Sequence, residues 1–536
     1  MLKKLFKGQI NSITLAALLV ALSSLISRFL GIFRDRILAG EFGAGDALDI
    51  YYAAFRIPDL VFNLLVLGAL SAGFIPVFTS IINNKNKQDG WKFASGILNI
   101  LVLFLIILSG LGIIFAPSLM KLIVPGFSPE KQASVISLTR IMFLSPIFLG
   151  ISSILGGILQ SFKRFFVYSL SPIVYNIGII IGVIYLAPIF GVYGLAYGVV
   201  LGAFMHMIIQ LPMAIGLGFK YNFNFGFKNK DVRKVGLMMI PRTMSLAISQ
   251  INLLVITVIA STLASGSLTI FNFANNLQSF PIGIFGISFA IAAFPTLSAV
   301  AFNKEKLINN FSSTLRQILF FIVPATVLLL TLRAHIIRVI LGTGQFDWTD
   351  TILTMDTLAF FTISLFAQAL IPLLVRVFYS RHNSKIPFFI GLATAVFNVF
   401  LSLWLSSSMG VSGLALAFSI ASILNFIMLW IILRIEIGDL DELRILISCV
   451  KFTAAAVMCG AVVQLVKRAI WPFIDMDKFL GVLTQGFVSG ACGIIIYLLI
   501  CFILQSEELF DFWASIKRRL PFSKVETGDQ GEARGI

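Results

Sequence analysis

MLKKLFKGQINSITLAALLVALSSLISRFLGIFRDR (residues 1–36) starts basic, runs through a long apolar stretch and ends on three arginines and an aspartate. A basic start before an apolar run is also how a secretory leader begins. Here no small-x-small cleavage site follows, and thirteen further apolar runs do. The stretch is therefore expected to stay in place as the first of a series of membrane helices. That reading sets the problem for the rest of the chain, because four charges at 28–36 lie within or against hydrocarbon.

Composition supports the class. Of 536 residues, 58% are hydrophobic and 12% charged, and the mean hydropathy is +0.98. That leaves too little polar surface to cover a soluble globule, while apolar runs of about 20 residues recur along the chain. Lipid offers no partner to backbone N–H and C=O groups, so runs of that length cross as helices; barrel strands would be about half as long and would alternate polar with apolar. The chain reads as an all-α polytopic membrane protein with about fourteen spans, near 10–33, 46–82, 93–117, 135–161, 167–187, 192–217, 236–263, 268–301, 313–333, 354–378, 386–406, 411–433, 447–466 and 480–504.

Lys and Arg in short connections set orientation. The start carries Lys3, Lys4 and Lys7, and every second connection is basic: Lys85, Lys87 and Lys92; Lys163 and Arg164; Lys220, Lys228, Lys230, Arg233 and Lys234; Lys304, Lys306 and Arg316; Arg376, Arg381 and Lys385; Arg434 and Arg444. Connections such as APIFGVYG, STLASGS and SSSMGVSG carry almost none. Both termini are thus expected on the cytoplasmic side of a cell membrane. The same asymmetry accounts for most of the net charge of +16, so no nucleic-acid partner is invoked. The basic tail KRRLPFSK is expected on anionic headgroups.

Cys449, Cys459, Cys492 and Cys501, with His206, His335 and His382, lack metal-ligand spacing. There is no phosphate-binding loop, nucleophile elbow or HExxH. Neither enzyme chemistry nor a cofactor is expected; the protein moves or binds something in the membrane.

An internal repeat orders the spans. A shift of 220 residues places IYYAAFR (50–56) on IFNFANN (270–276); a shift near 219 places GVYGLAYG (191–198) on GVSGLALA (410–417); Asn176 falls near Asn398. Two six-helix lobes of equal orientation follow, 1–218 and 219–435, with residues 436–505 as two added helices and 506–536 as a cytoplasmic tail. A binding site is expected between the lobes near the midplane.

Candidate residues come from polar groups in apolar spans. An arginine in hydrocarbon costs several kcal/mol unless it faces a wet or anionic cavity, which singles out Arg28 and Arg56; Arg34, with Asp35 and Arg36, also has a plain explanation as the outer end of the first span, reaching interfacial water. Arg242, just after Pro241, also has a plain explanation in snorkelling. Gln250, Asn252, Asn272, Asn275, Asn276 and Gln278 cluster in spans 7 and 8, as interhelical glue or as the wall of a hydrated cavity. Arginines on one half and amides on the other make a donor-rich chamber suited to phosphate oxygens and sugar hydroxyls.

At these residues the chain resembles the MurJ (MviN) lipid II flippase family of the MOP exporter superfamily. The likeness is sharpest in SRFLGIFRDRILAGEFGAGDALDIYYAAFRIPDL (27–60), SQINLLVITVIASTLASGS (249–267) and FPIGIFGISFAIAAFPTLS (280–298). It implies alternating access carrying the diphosphate-sugar-peptide headgroup of lipid II, with the prenyl tail in a groove of the last two helices. Lipid II and membrane lipids would then be partners, along with cell-wall synthases. Ser27, Arg28, Arg34 and Asp35 match the family's first-helix motif, Asp49 its acidic residue at the second helix, and Arg56 a commonly basic position. Where the family continues from Pro-Asn-Leu to a cavity arginine and a Glu-Gly, this chain reads PDLVFNLLVLGA (58–69), with Phe62 and Leu67 at the arginine and glutamate places; Asn276 replaces an arginine of the eighth helix. Those losses keep alive another polyprenyl-linked oligosaccharide as cargo, or a non-transporting scaffold or regulator.

Overall fold

The computed structural model describes residues 13–67, 73–84, 86–226 and 229–519. Lys3, Lys4, Lys7, Lys85, Lys228 and the tail beyond Arg519 lie outside these residues. No strand occurs among those described. The longer helices are α1 (Ile13–Phe42), α2 (Asp46–Phe62), α3 (Lys87–Ile123), α4 (Pro129–Met142), α5 (Leu144–Ser161), α6 (Phe165–Ile181), α7 (Val192–Ile208), α8 (Lys230–Ser261) and α9 (Ser267–Pro281). They continue as α10 (Ser288–Ala299), α11 (Lys304–Thr331), α12 (Trp348–Thr362), α13 (Leu365–Ser380), α14 (Lys385–Met409), α15 (Val411–Ile437), α16 (Glu442–Ile470), α17 (Phe479–Ile503) and α18 (Glu507–Arg519).

Among the described residues, ten helices are long and apolar enough to cross a bilayer, or eleven if α12 and α13, bent by 45° at their junction, form one span. This is the all-α, multi-span architecture expected, with fewer spans than fourteen by length and composition. One boundary moves in an instructive way. The first span was expected to end near residue 33, which on the plain reading leaves Arg34, Asp35 and Arg36 in interfacial water; α1 instead runs on to Phe42. The charges sit inside a continuous helix because, as shown below, they have partners there.

Backbone breaks fall within spans. Asn63–Leu67, Gly182–Leu186 and Ile282–Ile287 are π-helical. In α2, Pro58 has no N–H for the carbonyl of Ala54, and the Thr139 hydroxyl of α4 donates to that carbonyl at 3.5 Å. A neighbouring helix thus meets a backbone need that lipid leaves unmet.

By contacts, the described residues divide into two compact units, the first within Met1–Phe280, Ile336–Ser364 and Lys385–Asn425, the second within Pro281–His335, Leu365–Ser384 and Phe426–Ile536. These do not follow the 1–218 and 219–435 boundaries of the repeat. In the first unit α1 packs on α6, α2 on α4, and α6 on α7, while α8 lies against α3 and α14. Glycines set the α6–α7 spacing. A Cβ on Gly178 would lie 2.3 Å from the Gly202 Cα, and one on Gly182 2.4 Å from the Gly198 Cα. Without a hydrophobic driving force between helices in lipid, such backbone approach supplies the van der Waals contact that holds them.

The second unit is built on α11, α16 and α17. Phe320 stacks edge-on against Phe452, and the Tyr497 hydroxyl donates to the Phe320 carbonyl at 2.7 Å. Arg316 anchors α18: it pairs with Glu508 and with Glu507, the latter at 3.2 Å. Glu508 also accepts from Ser448 at 2.9 Å and Ser506 at 2.8 Å. Both Arg316 and Glu508 are buried. So Arg316, expected to mark a basic connection, is committed to a buried ion pair that docks the first turn of the tail.

Gly198→Val is expected to cost about 1–3 kcal/mol through overpacking. Gly110→Val, whose Cβ meets nothing within 4 Å, should be close to neutral. Thermal unfolding in detergent compares the two; equal midpoints would mean that the glycine contact does not carry the α6–α7 packing.

Candidate functional site

The predicted arginines and amides of the first unit form two hydrogen-bonded networks. One centres on Asp35, 5% exposed. The Arg34 guanidinium donates twice to Asp35 Oδ1, at 3.1 and 2.8 Å, and once to Asn176 Oδ1 on α6 at 3.2 Å. Asn176 in turn donates to the Ser27 hydroxyl at 3.3 Å and to the Pro172 carbonyl at 3.0 Å. From α9, Asn276 donates to Asp35 Oδ2 at 2.9 Å. Ser27, Arg34, Asp35, Asn176 and Asn276 therefore make one chain across α1, α6 and α9, and each oxygen of the buried carboxylate has a donor.

Arg56 centres the second network. It donates from Nε to the Thr257 hydroxyl on α8 at 2.8 Å and from Nη2 to Asn272 Oδ1 on α9 at 2.9 Å. Thr257 and Asn272 complete their own needs on backbone carbonyls of their helices. Both partners of Arg56 are neutral, so its charge is hydrogen-bonded but not balanced by them.

Arg28 stands apart. It is half-buried on α1 and makes no hydrogen bond or ion pair with any described residue. Arg36, by contrast, donates to the Val339 carbonyl.

Asp49 has a different environment from that of a cavity residue. It is 2% exposed; Oδ1 accepts from the Thr269 N–H at 2.9 Å and hydroxyl at 2.8 Å, and Oδ2 from the Gly266 N–H at 2.9 Å. Lys131 adds an ion pair at 3.2 Å and bridges to Asp46 at 2.6 Å. Asp49 thus serves the first turn of α9, where backbone N–H groups have no intrahelical acceptor. Gly266, at φ +85°, would put a Cβ 1.9 Å from the Ala44 carbonyl oxygen, so only glycine lets this turn close on α2.

The remaining predicted residues separate. Asn252 accepts from Asn398 on α14 at 2.9 Å, and Gln278 donates to Asn275 at 3.0 Å, which is interhelical and intrahelical glue. Phe62 packs against the apolar core. The side chains of Arg242 and Leu67 lie outside the described residues. Asn176 and Thr257 are the partners that sequence reasoning did not name as site residues; for Asn176 the signal was present, since the repeat had already paired it with Asn398. Among the described residues no group of His, Cys, Asp and Glu is placed to hold a metal ion.

Comparison with known proteins gives a concordant set. The family described as "Lipid II flippase MurJ" matches residues 38–483. The probable lipid II flippase MurJ of Vibrio cholerae is 30% identical over 471 residues, 85% of this chain and 90% of its own. That of Buchnera aphidicola subsp. Acyrthosiphon pisum is 31% identical over 419 residues, 76% of this chain and 81% of its own. Among solved structures, a lipid II flippase MurJ in an inward closed conformation superposes with a TM-score of 0.75 at 25% identity, covering 94% of this chain and 100% of that one. An inward-facing multidrug resistance MATE transporter of the MOP superfamily shares the fold at a TM-score of 0.64 and 16% identity, over 79% of this chain.

Asn276→Leu removes the donor to Asp35 Oδ2 and is expected to cost about 1–3 kcal/mol, the penalty for a buried acceptor left unmade. Gln250→Leu, whose side chain bonds to no described residue, should stay within about 0.5 kcal/mol of wild type. Thermal midpoints of the two purified variants decide whether Asn276 is structural support for Asp35.

Proposed function

The chain belongs to the lipid II flippase MurJ family, and from that membership we propose that it carries lipid II from the cytoplasmic to the outer leaflet of the bacterial cell membrane by alternating access. It is a multi-span membrane protein of a transporter family rather than of a catalytic class. The observation that carries the reading is Arg28. A guanidinium half-buried in an apolar helix, with no described protein partner, calls for an anion, and a diphosphate offers oxygens at the spacing its fork matches.

The other assignments divide by what surrounds them. Arg56, held by neutral groups, keeps its positive charge for a ligand. Arg34 is held against Asp35 and orients the network that carries Ser27 and Asn276. Asp49 acts on the substrate's path by tying α2 to α9; Arg242 is assigned from sequence alone. In this proposal the fourteen spans form two six-helix lobes, 1–218 and 219–435, with residues 436–505 guiding the lipid tail and both termini cytoplasmic. The connections that the charge asymmetry assigns to the outer face are cross-linked. Asp46 accepts from Ser265 at 2.5 Å, Asp350 from the Ala44 N–H at 2.9 Å, and the Gly40 carbonyl from the Gln345 N–H at 2.8 Å. These bonds, with those of Asp49, would have to open for outward release. Cell-wall synthases are the protein partners such a carrier would serve.

Phe62 and Asn276, where the family resemblance leads one to expect arginines, favour as second reading a different polyprenyl-linked oligosaccharide.

The test is complementation in a bacterium depleted of its own flippase, with wild type and with Arg28→Ala plus Arg34→Ala at matched membrane levels. Wild type is expected to restore growth and surface-exposed lipid II, and the double variant to lose both. A stably inserted wild type that restores neither would remove lipid II as cargo and direct the search to other lipid-linked glycans.

A further inference from the structure

Asp59 is the acid that neither network uses. It lies on α2, one helical turn after Arg56 and therefore on the same face. The side chain is half-buried and makes no hydrogen bond or ion pair within contact distance of any described residue. Arg56 is the charge that acts on it, yet points its donors to Thr257 and Asn272 instead. Immediately beyond, the helix opens into the π-helical turn Asn63–Leu67. Every other acid on these helix faces is committed: Asp35 to Arg34 and Asn276, Asp49 to Lys131 and α9.

An ionised carboxylate without a partner inside an apolar span costs several kcal/mol, and binding a proton removes that cost. Ionised, the same carboxylate competes with any anion for the field of Arg56. We propose that Asp59 is a proton-binding site coupled to anion binding at Arg56. Protonated, it leaves the Arg56 charge to the diphosphate headgroup; when the proton returns to water, the carboxylate repels the headgroup and favours release. One proton is taken up with the ligand and one is given back, with no other co-reactant. This rests on the reading of the cargo as a lipid-linked diphosphate.

The groups that share its surroundings do not supply the same switch. Tyr51 on α2 and Tyr175 on α6 interact with it, and Tyr52 also faces Arg56; phenols titrate near 10. The arginines Arg34 on α1, Arg140 on α4 and Arg233 on α8 stay charged. Lys131 on α4 is paired with Asp46 and Asp49. Lys87, Asp89, Lys92 and Lys121 on α3, Glu130 on α4, and Asp231 and Lys234 on α8 lie at or near helix ends. On α7, His206 bonds to Ser152 at 2.7 Å, and as the imidazole nearest this region it is controlled for by substitution.

The full-length protein in nanodiscs serves two measurements. Infrared difference spectra between pH 5.5 and 8 are expected to show the carbonyl stretch of a protonated carboxyl that disappears in Asp59→Asn. Affinity for lipid II is expected to tighten by up to about tenfold per pH unit on acidification, the limit for one linked proton. That slope should vanish in Asp59→Asn and persist in Asp59→Glu and His206→Gln. A wild-type slope retained by a folded Asp59→Asn, or a carboxyl band unchanged by it, overturns the proposal. If lipid II fails to bind at any pH while the Asp59 band titrates, the proton site stands and the cargo assignment has failed; inorganic pyrophosphate, tested for the same slope, then reads the anion coupling.

Discussion

A charge placed in hydrocarbon must be neutralised, hydrogen-bonded or wetted, and Asp35 is where this chain meets that demand most fully. Two donors from Arg34 and one from Asn276 reach a carboxylate that is almost fully buried. Because the donors come from different helices, satisfying the carboxylate also fixes α1 against α9, and through Asn176 against α6. The same demand lets α1 run on through Arg34 and Asp35 rather than end before them. Removing the acid alone would leave a buried guanidinium, and removing the donors would leave a buried carboxylate, so either change costs more than the pair contributes.

The repeat makes the arrangement intelligible. Arg56 and Asn276 occupy equivalent places under the 220-residue shift, and each reaches a first helix of the other half: Arg56 touches Thr257 on α8, and Asn276 touches Asp35 on α1. Asp49 and Thr269 are also equivalent, and they bond to each other across 220 residues. Asn176, which accepts from Arg34 on α1, falls near Asn398, which donates to Asn252 on α8. Even the turns repeat, since Gly191 and Gly410 take φ values of +59° and +58° and each immediately precedes a helix, at Val192 and Val411.

These equivalences show which parts were legible in the sequence. Hydropathy gave the helices, because lipid removes every other way to satisfy the backbone. The arginines and amides were visible as polar residues in apolar runs, and several of them bond across helices that the repeat pairs, as Arg56 does with Thr257 and Asn272. What composition could not give was the pairing. Asp49 reads from its motif as the family's acidic residue at the second helix, and in the structure its acceptor capacity goes to α9 and Lys131, a matter of where one glycine turn lies in space. Asn276 reads as a lost cation, and in the structure it does work that a longer side chain would do differently: it supplies the short neutral donor that Asp35 Oδ2 needs. Arg316 counts as an inward positive charge in the sequence, and its fate as a buried anchor depends on a tail some 190 residues later. The π-helical breaks left only partial signals: Pro281 precedes the one in the eighth span, and nothing local marks Gly182–Leu186.

The balance of charge on α1 and α2 ties the site to its ligand. Lys131 pairs with both Asp46 and Asp49, leaving one negative charge that equals in number the positive charge of Arg36, which bonds to the Val339 carbonyl. That leaves Arg28, Arg34 and Arg56 against Asp35 and Asp59. With Asp59 ionised these five side chains sum to one excess positive charge, and with Asp59 protonated to two. Two uncompensated guanidinium groups in low dielectric are unfavourable, whereas with the proposed diphosphate bound the charges sum to zero. A single carboxylate between these states gives the empty protein a way to lower its own charge and the loaded protein a reason to take up a proton. On the proposed assignments, Arg28 and Asp59 are thus two halves of one problem: a protein that must hold a doubly charged anion in the membrane must also remain stable after the anion has gone.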